Sequence, residues 1–268
     1  MMSVLDTPRH CIVSGVRLPY ALSEGPGTPV VLLHGLTDSQ RSFDPVFARM
    51  AGRRTLFAPT YRGHGDADRP TAGYRPTDLA ADVLAMLDEV GISRAVVVGH
   101  SLGAAVALRL AVAAPGRVAG LLLAAGFGAP AHNAGVIELQ EAVQPLGDPI
   151  PVAFAEEFQR STVTREVPEP FMAMVIGESL KVPAHVWRAA TIGFAESDPL
   201  DGLAALQMPV RLVWGERDAY VTRADQDLLL GALPAATLSV YEDTGHAVHW
   251  EQPDRFVDEL TTFSHGLS

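Results

Sequence analysis

Residues 95–105, A-V-V-V-G-H-S-L-G-A-A, constrain this chain more than any other stretch. Ala95 and the three valines after it read as a strand buried on both faces, the kind found in parallel sheets. Small, helix-favouring residues from Ala104 to Ala114 follow, and Pro115-Gly116 closes them. The turn between the two elements is G-H-S-L-G, a fit to the G-x-S-x-G pattern of a strand-to-helix elbow. In such an elbow the middle residue has a strained backbone, and side chains two positions either side would collide, so Gly99 and Gly103 supply room. Ser101 is then presented at a helix N-terminus, where free N–H groups favour developing negative charge. Gly and Ser also punctuate ordinary turns. The apolar strand before and the small-residue helix after are what make Ser101 a candidate nucleophile.

The chain around this elbow alternates strand and helix. Residues 10–22 alternate loosely around Ile12, Val13, Val16 and Leu18 and predict an antiparallel edge hairpin. Residues 30–33 are a fully apolar strand ending in H-G-L-T-D-S, residues 43–51 are helical in pattern, and residues 55–58 form another strand. Thr77 is placed to cap a helix whose apolar face is Leu79, Val83, Met86, Leu87 and Val90, with Gly91 ending it. After the elbow, residues 120–125 are apolar again. Buried-type strands separated by helices predict a parallel sheet covered on both faces. From 126 to 199 no strand-like run occurs, only helical pieces at 151–160, 170–180 and 183–195 separated by prolines. Alternation then resumes with a strand at 210–214, a helix at 222–230, a strand at 237–241 and a closing helix at 252–263. The expected domains are a core of 1–126 and 200–268, and a helical cap, or lid, of 127–199.

Composition excludes several classes of partner. With 48% apolar and 19% charged residues over 268 positions, a large core is readily buried. A net charge of −11 argues against nucleic acid or an anionic membrane. The single cysteine, Cys11, leaves no intramolecular disulfide and no cysteine zinc cluster. The opening M-M-S-V-L-D-T-P-R-H lacks a charged lead followed by an apolar run, and no stretch of eighteen apolar residues occurs, so a cytoplasmic location is expected.

A serine nucleophile needs a base to take its proton, a carboxylate to orient that base, and N–H donors for the oxyanion. An acid and a histidine follow Ser101 in that order, each just after an apolar strand: Asp218 in W-G-E-R-D and His246 in D-T-G-H. Glu216 competes for the acid and His249 for the base. His34, His64 and His100 lie in three separate loops without a metal-ligand spacing, so hydrogen bonding within the protein is their expected role and no metal is expected. Asp66 and Asp68 read as solvated loop carboxylates.

These segments resemble the α/β-hydrolase fold superfamily over nearly the whole chain, in its esterase, lactonase and haloperoxidase-like branch. L-L-H-G at 32–35 is similar to the family's oxyanion loop, Y-R-G-H-G-D-A-D-R-P at 61–70 to its R-G-H-G-x-S segment, and G-H-A-V-H-W-E-Q-P at 245–253 to its histidine loop. Thr60 and Ala67 depart from the aspartate and serine usual at those places. The resemblance implies a mostly parallel twisted sheet with helices on both faces and a helical cap. It implies a Ser101–His246–Asp218 triad, with the family's G-x-x-D spacing favouring Asp218 over Glu216, and Leu36 and Leu102 N–H groups as oxyanion donors. Gly35, Phe154 and Trp187 are the candidate substrate contacts. The activity implied is hydrolysis of a small-to-medium apolar ester or lactone, without cofactor. Carbon–carbon bond hydrolases, thioesterases, perhydrolases and slow-turnover ligand receptors share the same motifs, and a homodimer is left open.

Overall fold

The strand that opens the elbow, β5 (Ala95–His100), stands in the middle of an eight-stranded sheet and is buried along its whole length. This computed structural model describes residues 9–267. The expectation that no targeting segment opens the chain falls mostly on residues 1–8, outside the described part. The other strands are β1 (Arg9–Val13), β2 (Val16–Ser23), β3 (Val30–Leu33), β4 (Leu56–Pro59), β6 (Val118–Ala124), β7 (Val210–Gly215) and β8 (Ala236–Tyr241). Their order is β1-β2-β4-β3-β5-β6-β7-β8. Strand β2 runs antiparallel to both β1 and β4, giving the expected edge hairpin, and all other pairings are parallel.

Successive residues of the central strands point to opposite faces, and both faces are covered. Val31, Leu33, Val97, Leu121, Leu123 and Leu212 pack beneath α2 (Pro76–Glu89), α3 (Leu102–Ala113) and α8 (Arg223–Ala232). Val30, Leu32, Val96, Val98, Leu122 and Val213 pack with Phe47 and Phe256 of α1 (Asp44–Met50) and α9 (Pro253–Ser264). Each such side chain contributes about 1.5–3 kcal/mol on burial, and β3, β4 and β6 carry no polar side chain at all.

Helix α2 starts two residues earlier than Thr77 as its cap predicts. Pro76 occupies the first helical position, where its fixed φ suits the helix, and the Asp78 carboxylate accepts the Arg75 N–H at 3.1 Å. Thr77 lies inside the helix rather than at its cap.

Between β6 and β7 no strand occurs among the described residues. Three helices sit where proline-separated pieces predict them: α5 (Val152–Ser161), α6 (Glu169–Leu180) and α7 (Ala184–Ala195). A fourth, α4 (Ala134–Val143), was not anticipated; Asn133 caps it by accepting the Val136 N–H at 3.1 Å. These helices build an apolar core of their own around Trp187, with Val143, Ile150, Val175 and Val186. The chain returns toward β7 along α3, where the Arg109 guanidinium donates to the Pro199 and Asp201 carbonyls at 2.9 and 2.7 Å. No helix among the described residues is long and apolar enough to cross a membrane.

Candidate active site

Ser101 caps α3 with φ 56° and ψ −117°, a conformation that side-chain-bearing residues rarely adopt. The neighbouring glycines are obligatory. A Cβ on Gly99 would lie 2.2 Å from the Gly103 carbonyl oxygen, and one on Gly103 would lie 2.1 Å from that of Leu33. The close approach of α3 to β3 and β5 therefore forces the elbow, and the elbow lifts Ser101 out of the sheet.

The loop after β7 delivers Asp218, and the loop after β8 delivers His246. Asp218 Oδ2 accepts from His246 Nδ1 at 2.8 Å, while its Oδ1 accepts the N–H groups of Tyr220 and Val221 at 2.8 and 2.9 Å. All three donors are satisfied by one carboxylate whose side chain is 0% exposed. With Nδ1 donating, the Nε2 of His246 is the free nitrogen. Neither Nε2 nor Ser101 Oγ carries a hydrogen bond within the described residues, and His246 and Ser101 line the same cavity.

The rivals have other partners. Glu216 is exposed, with its N–H tied to the Tyr241 carbonyl. Arg217 and Arg211, the cations nearest it in sequence, pair instead with Asp243 and Glu259. His249 is buried with Nε2 3.1 Å from Ser42 Oγ, and burial lowers its pKa to about 3, the His246 charge adding to the effect. A ring so reluctant to take a proton is a poor general base.

His34, His64 and His100 hold backbone, and His100 ends β5 rather than lying in a loop. His34 Nδ1 donates to Gly35 O at 2.8 Å, His64 Nδ1 to Arg62 O at 2.9 Å, and His100 Nε2 to the His246 carbonyl at 3.2 Å. Burial holds all three well below the usual histidine range, His64 at about 4. Asp66 and Asp68 do more than face solvent: Asp66 pairs with Lys181, and Asp68 accepts the Arg17 N–H at 2.8 Å.

The cavity above Ser101 is apolar. Leu36, Leu102, Phe127, Val136, Leu139, Phe158, Phe194 and Tyr220 line it, with Thr162 and Thr191 as polar exceptions. Among the described residues, neither the Leu36 nor the Leu102 backbone N–H donates to a protein acceptor. An outer groove bounded by Glu138, Phe154, Glu157 and Ser161 shares Gly135, Leu139, Phe158 and Tyr220 with this cavity.

None of the three expected substrate contacts lines this cavity. Trp187 is fully buried and stacks edge-on with Phe154 and Phe158 at 5.4 and 5.1 Å, behind the cavity wall. Phe154 borders only the outer groove, and Gly35 does not line the cavity. The lining aromatics absent from those expected contacts are Phe127, Phe158, Phe194 and Tyr220. Residues 154, 158 and 162 fall at i, i+4, i+8 on α5 and its end, and that stripe was the available signal.

The sequence profile described as the Alpha/beta hydrolase family matches residues 30–259. An uncharacterised protein of Mycobacterium tuberculosis is 26% identical over 275 aligned positions, covering 94% of this chain and 79% of that one. The solved esterase RhEst1 from Rhodococcus sp. ECU1013 is 27% identical with a TM-score of 0.82, covering 97% of this chain and 99% of the esterase. A solved N-acyl homoserine lactone degrading enzyme is 28% identical with a TM-score of 0.82, covering 95% of this chain and 100% of that one. Sheet order, elbow and profile agree: this chain belongs to the alpha/beta hydrolase family.

Proposed function

We propose that this protein is a serine hydrolase that cleaves a carboxylic ester or lactone of a small-to-medium apolar substrate through an acyl-enzyme on Ser101. The observation that carries this reading is the shared cavity: Ser101 and His246 open onto it, and Asp218 holds the far nitrogen of the imidazole at 2.8 Å. Ser101 Oγ attacks the carbonyl carbon as His246 Nε2 takes its proton. Asp218 keeps the imidazole in the required tautomer and stabilises the imidazolium. The Leu36 and Leu102 N–H groups, free of protein acceptors, take the tetrahedral oxygen, each worth about 2.7–4 kcal/mol where such donors have been removed from other enzymes. His246 returns the proton to the leaving alcohol oxygen, and water then repeats the sequence on the acyl-enzyme.

The apolar lining supports an apolar acyl or alcohol group, and the shared wall of Phe158 and Tyr220 makes the outer groove the route of entry. Helices α4–α7 act as the cap that selects substrate. Relatives described as an esterase and as a lactone-degrading enzyme, each above one quarter identical, support an oxygen-ester substrate over a carbon–carbon bond. The test is a fluorophosphonate adduct mapped by peptide mass, followed by p-nitrophenyl esters and lactones of increasing size. An adduct on a residue other than Ser101, or full turnover in Ser101→Ala, refutes the reading.

A further inference from the structure

A buried chain of polar side chains converges on the loop that carries Gly35 and Leu36. Asp38, 3% exposed, accepts from Gln159 Nε2 at 3.0 Å on Oδ1 and from Ser42 Oγ at 3.2 Å on Oδ2. Gln159 Nε2 also donates to Ser179 Oγ at 2.7 Å, and Ser179 shares a hydrogen bond of 2.8 Å with Thr37 Oγ1. With its own proton on Asp38, Ser42 Oγ accepts from His249 Nε2 at 3.1 Å and Trp250 Nε1 at 3.2 Å. The links join α5, α6, the histidine loop and the loop after β3.

That last loop carries the Leu36 N–H. A peptide unit is planar and trans, so the direction of this N–H follows from that of the Gly35 carbonyl. The carbonyl is held by His34 Nδ1 at 2.8 Å and, more weakly, by the Asp38 N–H at 3.4 Å. Asp38 Oδ2 lies 3.2 Å from the point where a Gly35 side chain would begin, so the carboxylate folds back against the same peptide. Thr37, between Leu36 and Asp38, has φ 65°, and the loop has no regular hydrogen bonding of its own to hold it.

We propose that Asp38, paired with Gln159, is a positioning residue that aims the Leu36 N–H at the tetrahedral oxygen, an inference that rests on Ser101 being the nucleophile. Gln159 belongs to α5, which lines the cavity through Phe158, so the oxyanion loop is set only when that helix is seated. Burial pushes the Asp38 carboxyl up to about 7, opposed by the Gln159 and Ser42 hydrogen bonds and by His246, and assisted by Glu178. A neutral group of the same shape fits this position: an amide accepts from Gln159 and donates to Ser42 Oγ, whose own proton then passes to His249 Nε2 in that ring's other tautomer.

Steady-state kinetics on p-nitrophenyl butyrate with Ser101→Ala, Asp38→Ala, Asp38→Asn and Gln159→Ala test this, each variant checked for fold by circular dichroism. In Asp38→Ala and Gln159→Ala, kcat is expected to fall about tenfold to a hundredfold, with KM within about threefold, the mark of a transition-state contact. Asp38→Asn is expected to stay within about threefold of the parent, and the Asp38→Ala/Gln159→Ala pair to be no worse than Asp38→Ala. An unchanged kcat in folded Gln159→Ala, or equal losses in Asp38→Asn and Asp38→Ala, overturns the positioning role. Should Asp38→Ala not fold, Gln159→Ala and Asp38→Asn decide by the same criteria. Full turnover in Ser101→Ala overturns the nucleophile and Asp38's role together, whereas inactive Ser101→Ala beside unaffected Gln159→Ala removes the positioning inference alone.

Discussion

The carboxylate of Glu251 accepts the N–H of Gly245 at 2.9 Å, one residue before His246, and with its other oxygen holds the N–H groups of Thr164 and Arg165 at 3.0 and 2.7 Å. One side chain thus fastens the histidine loop to the connection between α5 and α6. The Ala247 N–H, donating to the Thr162 carbonyl at 3.0 Å, adds a second clip at the same seam. Removing the carboxylate leaves three backbone donors without their partner. Glu251→Ala is expected to lose roughly 3 kcal/mol of stability by urea unfolding, and about tenfold in kcat as the His246 loop loosens. Loss of stability with unchanged kcat would show that the loop holds without the clip.

Asp218 and Glu216 are separated by their partners. Asp218→Asn is expected to lower turnover by roughly 10⁴-fold, the loss seen when a triad carboxylate elsewhere becomes an amide that favours the wrong imidazole tautomer. Glu216→Gln, at an exposed side chain, is expected to change turnover by less than about twofold. Ester hydrolysis by the two folded variants measures the contrast, and a reversed order would move the acid.

Phe158 and Trp187 touch each other at a ring separation of 5.1 Å yet do different things. Phe158→Ala opens the wall between cavity and groove and is expected to shift preference toward larger esters by about tenfold. Trp187→Ala removes the largest fully buried side chain and is expected to cost about 3–5 kcal/mol with no change in ester ranking. A ranking change in Trp187→Ala alone would place it, not Phe158, at the substrate.

Buried neutral histidines set the acid limit. His34, His64, His100 and His249 all have pKa values held below the ordinary 6.5 by burial, with His64 at about 4 and His249 at about 3. The unfolded chain binds their protons first, so their contribution to stability is present above pH 6.5 and is lost as pH falls toward the folded values. His64 and His249 each account for about 1.4 kcal/mol per pH unit between about pH 6 and 4, and His34 and His100 act in the same direction. Asp38 acts in the opposite sense: its raised pKa, about 7, gives stability below the unfolded value near 3.8 that is lost as pH rises through 7. Four histidines outweigh one carboxyl, so stability falls with acid. Urea midpoints at pH 7, 6 and 5 are expected to drop more steeply in the parent than in His64→Asn, and parallel slopes would refute this account.

The sheet was legible because its strands are short, apolar and bounded by turn residues, and the elbow because Gly99 and Gly103 stand where no Cβ fits. Asp218 and His246 were legible from their place just beyond strands. Helix α4 was not, since A-G-V-I-E-L-Q-E-A-V buries only Val136 and Val143 and shows a weak face. That Phe158 lines the cavity while Trp187 stands behind it was illegible for a related reason. Both are aromatic and adjacent in space, and which one meets the cavity depends on how α5 and α7 pack, a relation between residues about thirty positions apart that neither local pattern carries. Asp38 was passed over as part of a loop motif, because its burial comes from α5 and α6, far away in sequence.

The backbone of Ser101 carries a further consequence. A residue held at φ 56° and ψ −117° sits where glycine alone is comfortable, at a typical strain of about 1–3 kcal/mol for any side chain. Ser101→Gly is therefore expected to raise the thermal midpoint while abolishing turnover. Folding and reactivity pull in opposite directions at this one position. A lineage with no use for the hydroxyl would gain stability by discarding it, so the serine is a standing thermodynamic liability that the proposed nucleophilic role would offset.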